Sequence, residues 1–505
     1  MRAWLIPDLA LLVAAVTLAY CLALWDGAQR LFRDADSGWH IRTGERILDT
    51  RALPRSDPYS LTRRGQPWFA WEWGADVLMG AVHRALGLPG VAWLYALALA
   101  ASVWLWFRLH WLVRGNFFIA CLMAAPMLST TNLHWLARPH LLAWVLLLAA
   151  LSYAERAGGR FRLKDAVWII AGSALWANLH ASFFLAPAIA LLYAAAHWLR
   201  PKIWRLDRAA ELARARWFLC AAAASALGTL LNPHGWRLHH HVAAYLSDSE
   251  LLSRIGEFQS FNFHAEGAGQ ILLAVALAGL GTCAALAERR LSHFLLLALL
   301  LLAALRVARG LPVLALAGLP LAGGAITAAL KRAACGADLS AAVKRGFENF
   351  FRYSDRLRAI DAGLHGAALA PVMALLALLW VRTPAMAARA GFPASEFPVA
   401  AAARLEQLLP NVRLLSSDKY GGYLIYRFAG RLPVFFDGRS DFYGAQYMKQ
   451  YARLVQVRPG WRRQIEQYGF THALLPNDYS LAEALEAVGW KRIYRDHVAT
   501  LLARP

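Results

Sequence analysis

The sequence predicts an α-helical polytopic membrane protein with a small C-terminal α/β domain. Three observations carry that expectation. The 505 residues are 59% hydrophobic and only 17% charged, against about 25% charged in soluble domains, and mean hydropathy is +0.38. About eleven apolar runs follow one another, separated by polar loops. Past residue 390 the long runs give way to short alternating patterns.

A helix that crosses a bilayer needs about 20 apolar residues. Spans are expected near 4–25, 88–107, 117–131, 139–154, 166–178, 182–199, 215–231, 269–287, 292–306, 310–330 and 364–381. The first is expected to be an uncleaved anchor. Only Arg2 precedes it, and no small-residue cleavage site follows Trp25. This gives a transmembrane domain, 1–381, with long outer loops at 26–87 and 232–268, and an extracytoplasmic domain, 382–505.

Loop charge orients the chain. With the N-terminus inside, the inner loops 108–116, 155–166, 200–217, 287–292 and 331–363 hold 21 Lys and Arg against 9 Asp and Glu. The outer loops 26–87, 130–140, 178–182, 232–268 and 306–310 hold 14 against 12. That asymmetry follows the positive-inside rule, and an odd number of spans puts the tail outside. The net charge of +21 is therefore read as a topology signal, and no nucleic-acid partner is expected. Cys21, Cys121, Cys220 and Cys283 fall in predicted spans and Cys335 in an inner loop, so no disulfide framework is implied. No phosphate-binding glycine loop, GxSxG elbow or zinc spacing occurs. The lack of a repeated half argues against common secondary transporters.

Polar clusters collect on the predicted outer side. The first loop carries Asp34, Asp36 and His40, then Asp57 within Pro54–Pro58, then Trp68, Trp71, Glu72 and Trp73. After the third span comes Asn132–His140, with Arg138 and His140. His180 joins the fifth and sixth spans, His234 follows the seventh, and Arg306 and Arg309 lie between the ninth and tenth. Ionisable groups at membrane depth are costly, so they pair, line a cavity or serve a function. Each cluster also has a plainer reading. Asp34 and Asp36 suit a helix N-terminus near Ser37. The tryptophans suit an interfacial belt. His180 and His234 suit structural hydrogen bonds, and Arg306 and Arg309 suit snorkelling anchors. His239, His240 and His241 are adjacent on a helix and cannot share one face around a metal.

The functional alternative is chemistry on a lipid-borne phosphate. A carboxylate such as Asp34, Asp36 or Glu72 can take the proton of an acceptor hydroxyl. Arg or His can stabilise the charge that develops on a leaving phosphate, and guanidinium forks suit its oxygens. No cofactor is certain. If the donor is a lipid diphosphate, Asp, Glu and His can hold Mg or Mn; the identity of any metal ligands is left unknown.

In the tail, strands are expected at 412–415, 433–436, 471–475, 493–494 and 498–502, with helices at 421–428, 444–456, 460–468 and 480–488. Asp418 and Tyr420, and then Asp437 and Arg439, lie just past two strand ends, where open α/β sheets bind ligands. The alternative is that Gly421 and Gly422 make a tight turn and that Asp437 pairs with Arg439.

The whole set resembles the GT-C glycosyltransferases, in particular a bacterial membrane group placed with them. The matching runs are Asp34-Ala35-Asp36-Ser37-Gly38-Trp39-His40, Pro54-Arg55-Ser56-Asp57-Pro58-Tyr59-Ser60, Arg138-Pro139-His140, Asn178-Leu179-His180, Asn232-Pro233-His234-Gly235-Trp236, Gly421-Gly422-Tyr423-Leu424 and Asp437-Gly438-Arg439. They span nearly the whole chain. A looser likeness is to oligosaccharyltransferases, through Asp418-Lys419-Tyr420-Gly421-Gly422-Tyr423 followed by Phe435-Phe436-Asp437. Ser416 and Ser417 stand where those enzymes carry a Trp pair, and one residue is inserted, so sequon recognition is not carried over.

The resemblance implies a glycosyltransferase of the bacterial inner (plasma) membrane, with a cytoplasmic N-terminus and a periplasmic tail domain. Its donor is expected to be a polyprenyl-phosphate-linked sugar held in membrane lipid. Its acceptor is expected to be a cell-envelope glycan, lipid or protein. The alternative is a non-catalytic protein that binds or assembles lipid-linked glycans.

Overall fold

The computed structural model describes residues 2–336, 339–364 and 366–505. Residues 337 and 338, in the predicted inner loop 331–363, and residue 365, in the predicted segment 364–381, lie outside the described residues.

Each of the eleven apolar runs contains a helix, with ends set by local chemistry. The first, Leu9–Leu22, begins where the Asp8 side chain accepts a hydrogen bond from the Leu11 N–H at 2.9 Å. Among the described residues four helices are long and apolar enough to cross a membrane: Trp73–Leu112, Ala181–Ile203, Gly269–Ala287 and Gly310–Ala334. Shorter apolar helices run over Leu9–Leu22, Phe117–Asn132, His140–Glu155, Leu291–Arg306 and Leu369–Trp380.

The predicted segment 88–107 is only the second half of Trp73–Leu112. That helix has 40 residues, about 60 Å at 1.5 Å per residue, and bends at Gly87, whose φ is +65° two residues before Pro89. Its first half packs on Asp36–Thr50, a helix within the predicted first loop. Two glycines allow the backbones to touch there. A Cβ on Gly44 would lie 1.7 Å from the Asp76 carbonyl oxygen, and one on Gly80 would lie 2.5 Å from the Glu45 nitrogen. The predicted inner loop 331–363 also contains a helix, Ala341–Gly363. Its Asp361 accepts from the Leu9 N–H at 2.7 Å and so ties it to the first helix.

The tail holds one four-stranded sheet, in the order β1 (Leu414–Ser416), β2 (His472–Pro476), β4 (Ala499–Ala503), β3 (Lys491–Arg495). β1 and β2 are parallel, and β2–β4 and β4–β3 are antiparallel. The expected strand at 433–436 does not join it. Pro433 has no N–H to give to a ladder. Instead Val434 bridges the first loop: its N–H donates to the Tyr59 carbonyl at 3.0 Å and its carbonyl accepts from the Leu61 N–H at 2.7 Å. Tyr59, Trp68 and Ala70 of that loop, with Trp39, then share one buried core with Phe397, Leu405, Tyr420, Leu424 and Val434. Each large side chain buried there is worth about 1.5–3 kcal/mol.

Gly421 and Gly422 do not form a turn. They lie inside the helix Asp418–Arg427. A Cβ on Gly422 would stand 2.2 Å from the Ala35 carbonyl oxygen, and one on Gly38 would stand 2.2 Å from the Gly422 carbonyl oxygen. The pair brings the tail helix against the start of Asp36–Thr50, where the acidic motif begins.

Candidate active site

The acidic motif is built by hydrogen bonds between distant segments. The Ser37 hydroxyl donates to the Ala137 carbonyl at 3.0 Å, and the Ala137 N–H donates to the Leu31 carbonyl at 2.7 Å. Arg33 closes the end of Phe117–Asn132 by donating to the Asn132 and Leu133 carbonyls, each at 2.9 Å. These bonds hold the loop 133–139 beside Asp34 and Asp36. They set Arg138 between the two carboxylates: Nη1 to Asp34 Oδ2 at 2.8 Å and Nη2 to Asp36 Oδ2 at 3.1 Å.

The capping reading of Asp34 also holds. Its Oδ1 accepts from the Asp36 backbone N–H at 2.8 Å, so one oxygen caps and the other faces Arg138. Asp36 Oδ1 accepts from the Trp39 ring N–H at 3.1 Å. Burial, and then the charge of Asp34, push the Asp36 carboxyl up to about 7; Arg138 and Trp39 work against them.

A third carboxylate completes the group. Glu257 meets Arg138 Nη1 at 3.3 Å and Arg309 Nε at 2.6 Å. The backbone fixes that meeting, since the Arg309 N–H donates to the Glu257 carbonyl and the Ala308 N–H to the Gln259 carbonyl. Burial works to raise the Glu257 carboxyl, but Arg309 and Arg138 outweigh it and hold it well below the usual range.

Beside this group lies a chain of acids and imidazoles. His40 Nδ1 is 2.6 Å from Asp76 Oδ1. His40 Nε2, buried with no hydrogen-bond partner, is 3.8 Å from Glu72 Oε2. The other Glu72 oxygen is 3.5 Å from His180 Nε2. Burial pushes the Glu72 carboxyl up to about 7, against the pull of Arg138 and Arg309. It depresses the imidazoles too, His180 to about 3 and His134 to about 4, so both are neutral near pH 7.

One cavity of about 690 Å³ joins these groups. Of the predicted residues, Asp34, Asp36, His40, Glu72, Arg138, His140, His180, Arg309 and Arg439 line it. Apolar side chains line it as well, among them Phe184, Leu185, Leu246, Val307 and Val313.

The other predicted residues lie elsewhere. Asp57 and Asp437 grip Arg439 behind the wall: Arg439 Nη1 meets Asp57 at 2.7 Å, while its Nε and Nη2 meet the two Asp437 oxygens at 2.8 and 2.7 Å. The guanidinium is stacked near Trp68 and Phe442. The expected Asp437–Arg439 pair thus forms, with Asp57 as a third member. His234 borders a neighbouring cleft, its ring 4.0 Å from that of Phe69. Arg306 is exposed and does not line the cavity. Asp418 accepts from the Tyr451 and Tyr479 hydroxyls, and the buried Tyr420 donates to the Val498 carbonyl, all within the tail.

Sequence reasoning missed Asp76, Glu257 and His134 as lining residues. Asp76 was findable: it follows Glu72 by four positions and so shares its helix face. Glu257 stands in no motif and is brought in by a long-range loop contact.

The carboxylate group does not suit a divalent cation. Asp34, Asp36 and Glu257 all face Arg138, so an ion at their centre would meet a guanidinium. Among the described residues no three His, Cys, Asp or Glu side chains are arranged to hold a metal.

No protein-family model matches the chain, and no curated protein sequence matches it. Solved structures do. An oligosaccharyltransferase of Archaeoglobus fulgidus, tethered to an acceptor peptide containing the NVT sequon, matches with a TM-score of 0.57 at 12% identity, over 92% of this chain and 68% of that one. The same organism's oligosaccharyltransferase in complex with an inhibitory peptide and a dolichol-phosphate matches with a TM-score of 0.55 at 12% identity, over 92% and 69%. The chain has the GT-C-type fold of these archaeal oligosaccharyltransferases.

Proposed function

We propose that this chain is a membrane glycosyltransferase that moves a sugar from a polyprenyl-phosphate-linked donor to a cell-envelope glycan, lipid or protein. The observation that carries the reading is the cavity that buried acids, neutral imidazoles and Arg309 line together with apolar side chains. Such a mixed lining suits a ligand that carries both a phosphate and a hydrocarbon. In this reading residues 1–381 form the membrane domain of a bacterial inner-membrane protein, and 382–505 form a periplasmic domain. The matched enzyme bound to dolichol-phosphate supports a lipid-linked donor by analogy of fold.

The reaction is a displacement at the anomeric carbon. The acceptor hydroxyl oxygen bonds to that carbon, and the bond from carbon to phosphate oxygen breaks. The lipid phosphate leaves with the electron pair, and the hydroxyl proton goes to a carboxylate. Glu72 suits that role best. Asp36 has its oxygens on Trp39 and Arg138, whereas no hydrogen bond ties the Glu72 oxygens, which face His40 and His180 at 3.8 and 3.5 Å. His40, backed by Asp76, can orient Glu72. Arg309 faces the cavity where the phosphate charge develops.

A general base contributes about 10²–10⁴-fold. Glu72→Gln should lower transfer by that order at normal expression, read by mass spectrometry of envelope glycans and lipid-linked sugars in a complemented deletion strain. The ionised form is the base, and burial raises its pKa to about 7. Wild-type turnover should therefore fall as pH drops through about 7. Transfer by Glu72→Gln at the wild-type rate would remove Glu72 from the mechanism. A deletion strain with unchanged glycans and lipid-linked sugars would favour the non-catalytic alternative.

A further inference from the structure

We propose that Arg138 is the built-in cation of this site, standing where a divalent ion would otherwise sit, so that sugar transfer needs no metal. The proposal rests on the glycosyl-transfer reading for its purpose, but not for its geometry. Asp34, Asp36 and Glu257 come from two loops far apart in sequence, and each points an oxygen at Arg138 Nη1 or Nη2, at 2.8, 3.1 and 3.3 Å. Carboxylate oxygens are the donors that hold Mg or Mn. Here three of them are taken up by the two Nη atoms of one guanidinium. It is anchored from behind, because the loop that carries it is bonded to Leu31 and Ser37. Arg138 is surrounded by negative charge that outweighs its burial, so its own proton is held firmly.

The test uses the full-length protein purified in detergent, with Mn²⁺ as the probe and free ion followed by electron paramagnetic resonance. Wild-type protein should hold no Mn²⁺ at concentrations below about 1 mM, the weak end of protein cation sites. Arg138→Ala frees the three carboxylates. It should gain one Mn²⁺ site, and Mn²⁺ should raise its melting temperature; the Asp34→Asn, Arg138→Ala double variant should lose both effects. A wild-type site of micromolar affinity that Asp34→Asn abolishes would overturn the proposal. So would a folded Arg138→Ala protein that binds no Mn²⁺. If Arg138→Ala does not fold, the wild-type titration decides alone.

A second measurement separates this idea from the wider reading. Undecaprenyl phosphate or undecaprenyl diphosphate should bind to wild-type protein equally well in EDTA and in Mn²⁺. Binding that EDTA abolishes and Mn²⁺ restores overturns the guanidinium proposal and leaves glycosyl transfer intact. No binding of either lipid under any condition counts against glycosyl transfer itself, while the Mn²⁺ result still stands or falls separately.

Discussion

Two arginines three residues apart have different surroundings. Arg309 faces the cavity, bonds Glu257 at 2.6 Å and lies over the Phe258 ring. Arg306 is exposed and does not line the cavity, which suits a snorkelling anchor. The sequence places both in one short turn, so they look equivalent there. The difference arises because the backbone at 308 and 309 pairs with 257 and 259, which turns one side chain inward. Arg309→Lys keeps the charge but loses the planar fork. It should weaken undecaprenyl phosphate binding about ten- to a hundredfold, the range for a lost charge-assisted hydrogen bond of about 1.5–3 kcal/mol. Arg306→Lys should leave binding unchanged. Equal losses in a side-by-side titration would mean that both act through charge alone. Asp57 and Arg439 make a similar point about sequence. Their motifs mark them as special, but only the fold reveals that they bond each other across 382 positions. Removing one partner of a buried pair typically costs about 3–5 kcal/mol, because the other charge is left alone.

Elements were legible in the sequence to the extent that burial has a local signature. Apolar runs found the helices, since a run of that length has few other solutions. The run 433–436 has the apolar pattern of a sheet strand, yet Val434 bonds to Tyr59 and Leu61 of the first loop. The polar pattern of Ala341–Gly363 hides a helix that Asp361 ties to the Leu9 N–H and Ser354 to the Phe117 N–H. Gly421 and Gly422 look like a turn because glycine usually marks one. Here the missing side chain serves close packing instead. The contact between Gly38 and Gly422 joins the acidic motif to the tail, and the clash there would be with backbone, which cannot step aside. Gly38→Ala should therefore lower stability by about 1–3 kcal/mol, as overpacking does. Gly346→Ala is the control: it lies in Ala341–Gly363 with open space around it, and should be neutral or stabilising by up to about 1 kcal/mol through helix propensity. Thermal unfolding of the purified variants compares them. A Gly38→Ala protein as stable as wild type would mean that the two helices can separate without loss.

The whole molecule is organised so that both ends of the chain serve one cavity. The first loop and the tail share a core, and the Asp57–Arg439–Asp437 group fastens them, so the tail must lie on the same membrane side as Asp34 and Glu72. From loop charge that side is expected to be outside. In the proposed function this orientation bears on the substrate, because a periplasmic cavity would receive lipid-linked sugars and a cytoplasmic one would meet nucleotide sugars. Gln467 is exposed on the tail helix Trp461–Tyr468, and Cys335 is exposed in the predicted inner loop. In a chain whose other cysteines are replaced, Gln467→Cys should react with a membrane-impermeant thiol reagent in intact spheroplasts. Cys335, assayed alone in the same background, should react only after lysis. The two thiols act as each other's control, since permeable reagent would label both at once and a buried thiol would label under neither condition. Labelling of Cys335 in intact cells, with Gln467→Cys silent until lysis, would reverse the orientation. The cavity would then open to the cytoplasm, and a polyprenyl-linked donor would lose its rationale even with the fold unchanged.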